Sequence, residues 1–307
     1  MKKKGILVTG ANGWIGDHLC RWLQSKGYFV LACSRKKKSG NCDDFIKIDL
    51  SKDPNDSLFT FKKIISSLSD WSFVHCAGHA HRSIETVEET KIFYAVNDQG
   101  TRKMVALCQE LGIKRMVYVS SIAFYDWSAY PYNFPLDEGA KVLSASAYSD
   151  SKLKGEVHVQ KSGLDYRIVR LATVFGQGDK ANFAKLAKRL KKRHFFIPGS
   201  GENQKSVISV NRAAECIGQL ALMQNPKYRL VNLGFRSAPS LGDICQTFTK
   251  ECKFSKPHQI PVPLGRLLGY TGDLITKINQ NFPLNTNNIK KLIQSTHVDF
   301  SKATEIF

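Results

Sequence analysis

Apolar and polar positions fall in blocks along the first 175 residues, and the blocks come in two kinds. Short, mostly apolar runs at Gly5 to Val8, Tyr28 to Cys33, Phe45 to Ile48, Ser72 to Cys76, Ile113 to Val119 and Tyr166 to Leu171 have the length of strands buried on both faces. Between them the apolar residues recur at helical spacing. Ile15, Leu19, Trp22 and Leu23 share a face, with Gly27 placed to end the helix. Thr101, Met104, Val105, Cys108 and Leu111 share another, closed by Gly112. Strand and helix in alternation predict an α/β, doubly wound parallel sheet with right-handed crossovers, whose ligands sit at the carboxyl ends of the strands.

Beyond about residue 175 the pattern loosens into turns rich in Gly, Pro and Asn, two short apolar runs at Ser206 to Val210 and Arg229 to Leu233, and a less regular C-terminal stretch. The division expected is a dinucleotide-binding domain at 1–175 with about 206–234, and a smaller substrate-binding lobe at 176–205 and 235–307 that returns to the sheet once. Within the lobe, Phe183, Leu186, Ala187 and Leu190 would share one side of a helix, leaving Lys185, Lys188, Arg189, Lys191, Lys192 and Arg193 elsewhere. The ordinary reading is an apolar face on the lobe and a solvated basic face; docking on an anionic surface is the other.

Local chemistry sharpens the first strand-to-helix junction, which reads Thr9-Gly10-Ala11-Asn12-Gly13-Trp14-Ile15-Gly16. Gly10 suits a turn closed to side chains, Gly13 allows backbone to approach phosphates, and Gly16 allows helix to pack on strand. Unpaired N–H groups and the dipole at the helix start attract a pyrophosphate, so Gly10, Asn12, Gly13, Trp14 and Ile15 are expected to bind a dinucleotide in a Rossmann fold.

Composition narrows the setting. The eight cysteines include no CxxC pair, which suggests neither zinc site nor disulfide framework and fits a reduced, cytoplasmic location. No apolar run approaches the roughly 18 to 20 residues of a membrane helix. A formal charge of +19 fits either solvated lysines that keep the chain soluble or an anionic partner, without choosing among a phosphate-rich small molecule, nucleic acid and a membrane surface. His79 and His81 flank Ala80 at a spacing that invites a metal, yet no acidic or cysteine ligand lies suitably near, and no metal is expected. His81 is instead a candidate for the substrate pocket.

Tyr148 and Lys152 stand four residues apart, on one face of any helix that carries both. Neither titrates near neutrality alone, but an ammonium beside a phenol is expected to lower the tyrosine pKa toward working pH, making it a proton donor and acceptor. Upstream, Val117-Tyr118-Val119-Ser120-Ser121 reads as a buried strand ending in hydroxyls, which would set Ser121 beside Tyr148 at the edge of the sheet.

These stretches, with His75-Cys76-Ala77-Gly78, Val96-Asn97-Asp98-Gln99-Gly100-Thr101, Val119 to Tyr125 and Val174-Phe175-Gly176, resemble the extended short-chain dehydrogenase/reductase family. The likeness is to its nucleotide-sugar branch of NAD-dependent epimerases and dehydratases, above all the UDP-sugar 4-ketoreductases and 4-epimerases. The resemblance implies that Tyr148 is the acid/base, that Lys152 also holds the nicotinamide ribose, and that Ser121 orients the reacting oxygen. It implies that Asn97 supports the active-site backbone, that Ala77 and Gly78 lie along the cofactor, and that Asn182 and Lys205 reach the substrate. Lys205 stands where relatives have an arginine, and keeps the charge without the bidentate fork. Leu171 and Ala172 stand where relatives commonly have prolines beside the nicotinamide.

An NAD enzyme usually places an acid after the second strand; this chain has Ser34, Arg35 and Lys36 to Lys38, which favours NADP with NAD still possible. Asp49 and Leu50 are expected near the adenine. Dehydratases of the family place Asp-Glu directly after the catalytic Ser or Thr; here Ile122 and Ala123 stand there, which argues against elimination. The expected activity is reduction of a 4-keto nucleotide-sugar, and the alternative is 4-epimerisation with NAD. A nucleotide-sensing or nucleic-acid-binding role would not need Ser121, Tyr148 and Lys152 together, so no nucleic-acid partner is expected; the oligomeric state stays open, with a homodimer common in the proteins the chain resembles.

Overall fold

The computed structural model describes residues 4–36, 41–53, 57–79, 86–144, 146–180, 182–192, 195–276 and 285–307. Its strands are β1 (Gly5–Thr9), β2 (Phe29–Ser34), β3 (Asp44–Lys47), β4 (Trp71–His75), β5 (Arg115–Ser121), β6 (Asp165–Leu171), β7 (Thr173–Phe175), β8 (Phe196–Pro198), β9 (Val207–Ser209), β10 (Leu230–Leu233) and β11 (His258–Ile260). Seven of them form one parallel sheet in the order β10-β6-β5-β4-β1-β2-β3. The order reverses between β1 and β4, the crevice where such sheets bind ligands.

Helices α1 (Trp14–Ser25), α2 (Leu58–Ile65), α3 (Val87–Phe93), α4 (Gly100–Glu110), α5 (Ala147–Gln160) and α7 (Val210–Leu222) accompany this sheet. Alternation along the strands decides which helices each face meets. Ile6 and Val8 of β1 join a cluster with Leu19 and Leu23 of α1 and Ala213, Ile217 and Leu220 of α7. Leu7, between them, faces the opposite cluster with Phe61 of α2 and Met104 and Cys108 of α4. All three β1 side chains are fully buried, each stabilising by about 1.5 to 3 kcal/mol relative to exposure.

The later chain is more regular than its turn-rich composition suggests, with α6 (Asn182–Lys191), α8 (Leu241–Cys252), α9 (Val262–Thr276), α10 (Thr286–Ile293) and α11 (Ser301–Ile306). One of the two later apolar runs joins the main sheet as β10; the other becomes β9 and pairs with β7 in a separate ribbon. Strands β8 and β11 form a second ribbon. In α6, Leu190 is buried and, with Leu186, packs in a cluster with Leu241 and Cys245 of α8, while Lys185, Lys188, Lys191 and Lys192 are exposed. Arg193 lies outside the described residues. All eight cysteines are free thiols.

Candidate active site

The glycine turn follows β1 directly. Gly10 has φ +69°, and a Cβ there would lie 2.6 Å from the Ala77 backbone nitrogen. At Gly16 a Cβ would lie 2.2 Å from the Gly10 carbonyl oxygen. The α1 start at Gly13 carries no side-chain cap, so its N–H groups and positive dipole end are left to a ligand. Backbone already stands where a side chain would go at both positions, and this tight turn into an uncapped helix start fits a dinucleotide pyrophosphate.

Because the strands are parallel, the segments after β1 to β5 share one edge. Arg35 follows β2, exposed; Asp49 and Leu50 follow β3; Ala77 and Gly78 follow β4; Ser121 ends β5. Asn12 donates from Nδ2 to the Lys36 carbonyl, tying the loop after β2 to the glycine turn. Asp49 accepts from the Ser51 hydroxyl at 2.7 Å and backbone at 3.1 Å, which, with Arg35 and Lys52 nearby, holds its carboxyl below the usual range. Leu50 packs into the core and sits where a Cβ on Gly100 would meet it at 2.9 Å. Trp14 reaches from α1 to donate to the Gln177 carbonyl at 2.8 Å, and Ile15 packs on the α1 side of the core.

Tyr148 and Lys152 lie on α5, whose start is fixed by a capping box between Ser146 and Ser149. Ser121 accepts at Oγ from the Ala123 N–H at 3.1 Å, which leaves its proton for Tyr148. Burial pushes the Tyr148 phenol up and the hydrogen bond from Ser121 pulls it back; the net direction is up. The expectation of a tyrosine acidified by Lys152 is therefore corrected. The lysine, 5 % exposed, donates from Nζ to the Val119 carbonyl at 2.7 Å and sits 4.2 Å from the centroid of the Tyr118 ring. Burial draws its own pKa down to about 8, against the pull of the Glu156 carboxylate. Of the two serines only Ser121 reaches the site; Ser120 is buried, and its Oγ has no partner among the described residues.

Asn97 lies in a six-residue π-helix, Tyr94–Gln99, between α3 and α4. Such bulges aim a side chain inward at functional sites. Asn97 donates to the His79 carbonyl and to Ser151 Oγ, both at 3.1 Å, and accepts from the His79 N–H at 2.8 Å. It thus ties the segment after β4 to α5. A Cβ on Gly78 would come 3.2 Å from Asn97 Oδ1 and 3.8 Å from Lys152 Nζ, so glycine strand edge, asparagine and lysine share one small volume.

Beneath it runs a relay invisible in the sequence. Thr9 Oγ1 lies 2.6 Å from His75 Nδ1, and His75 Nε2 lies 3.2 Å from Thr101 Oγ1, which donates to the Asn97 carbonyl at 2.6 Å. Since the Thr101 proton is committed, Nε2 carries the imidazole proton and Thr9 donates to Nδ1. Burial holds His75 down at about 3, hence neutral. A second network was equally hidden. Arg170 of β6 holds Glu156 of α5 through two bonds of 3.1 and 2.9 Å, and also donates to Tyr125 at 2.9 Å and the Glu138 carbonyl at 3.0 Å. The pair is almost wholly buried.

Of the expected substrate residues, Asn182 is the first residue of α6 and exposed. Lys205 turns its ammonium to the carbonyls of Lys291, at 2.9 Å, and Gln294, and burial draws it down to about 8. The structure brings neither into contact with Ser121 or Tyr148. His81 lies outside the described residues.

A family model described as the NAD dependent epimerase/dehydratase family matches residues 6–234, the greater part of the chain. Among curated relatives, the chain is 24 % identical to an N-acetyl-alpha-D-glucosaminyl-diphospho-ditrans,octacis-undecaprenol 4-epimerase of Escherichia coli O157:H7, over 97 % of this chain and 88 % of that one. It is also 24 % identical to a dTDP-4-dehydro-6-deoxy-D-allose reductase of Streptomyces bikiniensis, over 88 % and 87 %. Among solved structures, a UDP-glucose 4-epimerase of Thermotoga maritima, crystallised with UDP-glucose, superposes with a TM-score of 0.71 at 19 % identity, covering 98 % of this chain and 91 % of that one. Glycine cradle, parallel sheet and family match agree: the protein is an enzyme of the NAD dependent epimerase/dehydratase family, in its extended short-chain dehydrogenase/reductase form.

Proposed function

We propose that the protein is an NAD(P)H-dependent reductase of a 4-keto nucleotide-sugar, of the UDP-4-keto-6-deoxy-hexosamine type, yielding the 4-hydroxy sugar. The observation that carries this reading is the Ser121 hydroxyl on the Tyr148 phenol at the carboxyl edge of the sheet, with the buried Lys152 ammonium one turn along the same helix. A dTDP-sugar reductase among the relatives supports it.

The cofactor, when bound, supplies hydride to the ketone carbon. Gly10, Asn12, Gly13, Trp14 and Ile15 would hold its pyrophosphate, Asp49 and Leu50 its adenine end, and Ala77, Gly78, Asn97 and Lys152 its nicotinamide half. Arg35, exposed just after β2 where an NAD enzyme usually carries an acid, would pair with a 2′-phosphate, which is the reason for preferring NADP. With the ketone in place, Ser121 would turn its one proton from the Tyr148 phenol to the ketone oxygen, and Tyr148 would deliver its own proton there as the carbonyl is reduced. The raised phenol carries its proton at neutral pH, at some cost in acid strength, and the hydrogen bond from Ser121 offsets part of that cost. Asn182 and Lys205 belong to the substrate side, in a lobe formed by 176–205 and 235–307, and His81 of the dinucleotide-binding domain is the third candidate for the substrate.

Epimerisation is the second reading, favoured by 4-epimerases that match 97 % and 94 % of the chain. The two differ in stoichiometry. A reductase consumes one reduced cofactor per sugar; an epimerase interconverts two sugars with no net consumption. Tyr148→Phe should lower kcat by about 10² to 10⁴, with NADPH affinity, read by fluorescence titration, changed less than about threefold. Turnover near that of the parent would refute the assignment.

A further inference from the structure

Helix α9 is built inside out. Its buried face consists of Gly265, Gly269 and Gly272, which let the helix close on its neighbours. A Cβ at Gly265 would lie 2.8 Å from Pro198, and one at Gly269 would lie 3.1 Å from Thr286 Cα. The bulky apolar residues Leu264, Leu267, Tyr270 and Leu274 point the other way, exposed by 44, 58, 63 and 64 %. Their spacing sets all four on one side of the helix.

The apolar surface continues across a neighbouring cavity of about 500 Å³ between α9, α10 and residues 127–136. On its far rim Tyr132 is 61 % exposed and Phe134, stacked on Tyr130 at 5.9 Å, is half exposed. Six of the twelve large apolar side chains that stand exposed among the described residues belong to this one patch. Contiguous exposure of this kind marks a docking surface.

Charge identifies what docks. Arg266 and Lys290 line the cavity, and Lys253 and Lys256 stand exposed on the approach to β11, which leads into α9. The one acid of α9, Asp273, is taken by the Thr286 backbone at 3.1 Å and hydroxyl at 2.6 Å. A second copy brought against this face would add another chain of charge +19 and place the same cations opposite each other. An anionic bilayer offers both an acyl boundary for the leucines and headgroup phosphates for the cations. No helix among the described residues is long and apolar enough to cross a membrane, so the contact is with its surface.

We propose that α9 and the rim of the adjoining cavity dock the protein on an anionic phospholipid bilayer, with Leu264, Leu267, Tyr270 and Leu274 in the acyl boundary and Arg266 and Lys290 among the headgroups. The inference holds whichever sugar the active site takes. The test is co-sedimentation of the full chain with phosphatidylcholine vesicles, with and without phosphatidylglycerol. The parent should pellet with the anionic vesicles and be released by added salt. Leu267→Glu with Leu274→Glu should lose more than about tenfold in vesicle affinity, with thermal melting and NADPH binding unchanged. Arg266→Glu, which leaves the apolar face intact, should lose about fivefold or more on the anionic vesicles alone. Absence of parent protein from the anionic pellet, or equal pelleting of parent and variants, would overturn the proposal. So would a dimer of the parent in vesicle-free solution that the double leucine variant turns into a monomer, for that outcome gives the face to a second copy.

Discussion

Lys152 and Tyr148 have been pushed in opposite directions by the same cause. Burial makes the ammonium easier to discharge and the phenol harder, so near neutrality both hold their protons. The kcat/KM profile of the proposed reductase should therefore be flat below pH of about 8 and fall above it as Lys152 loses its charge. Lys152→Arg, unable to discharge, should remove that limb even where its turnover is lower. The spacing of the two residues was legible in the sequence, and so was the helix that unites them. The sign of the tyrosine shift was not, because it depends on a carbonyl that captures the lysine and on how much water the fold excludes. Gly155 is a residue whose role only the packing discloses: a Cβ there would lie 2.2 Å from the Tyr118 hydroxyl and 2.8 Å from the Asn97 carbonyl. Gly155→Ala should lower stability by about 1 to 3 kcal/mol in urea unfolding and reduce turnover by shifting α5 away from β5.

Elements with a strong period were readable and those held by tertiary contacts were not. α1, α4 and every strand of the main sheet match apolar runs in the sequence to within two residues. The three-residue ribbon strands β7, β8 and β11 carry no period of their own and exist only through pairing. The π-helix around Asn97 is equally silent, since the side-chain bonds that Asn97 makes from it go to His79 and Ser151, which are far off in sequence. His75, neutral and buried between Thr9 and Thr101, has its pKa depressed from 6.5 to about 3. Over that window the unfolded chain binds the proton and the folded one does not. Stability should thus be intact above about 6.5 and fall with acid, by up to about 1.4 kcal/mol per pH unit from this group. Replacing it by Gln should flatten that slope in melting curves. Glu156→Ala strands the Arg170 guanidinium in the core and should lose about 3 to 5 kcal/mol. The milder Glu156→Gln removes a charge that holds the Lys152 pKa up, so the alkaline fall in kcat/KM should begin at lower pH.

At the scale of the whole molecule, parallel topology converts five separate strand ends into one ligand edge, and that much followed from the order of apolar runs alone. Networks across the fold were illegible because their partners are far apart in sequence. Asn232 of β10 donates from its backbone to Glu138 at 2.7 Å, Tyr125 donates to Asn232 at 2.8 Å, and Lys302 pairs with Glu138 at 2.9 Å. Arg170 joins this group to α5, so the C-terminal segment, the loop after β5 and the helix carrying Tyr148 are braced together. The charge of +19 was plain in the composition, yet only the fold shows cations gathered at the margin of an exposed apolar helix. Everything proposed for the site reduces to hydride delivered to a sugar ketone and a proton delivered by Tyr148. The most direct measurement supplies NADPH deuterated at the transferable position of nicotinamide C4, with a UDP-4-keto-6-deoxy-hexosamine, and weighs the product. One deuterium at the sugar carbinol, appearing about 10² to 10⁴ times more slowly with Tyr148→Phe, is the result expected. Cofactor oxidation that leaves the sugar unlabelled, or labelling at the parent rate in the variant, would contradict it.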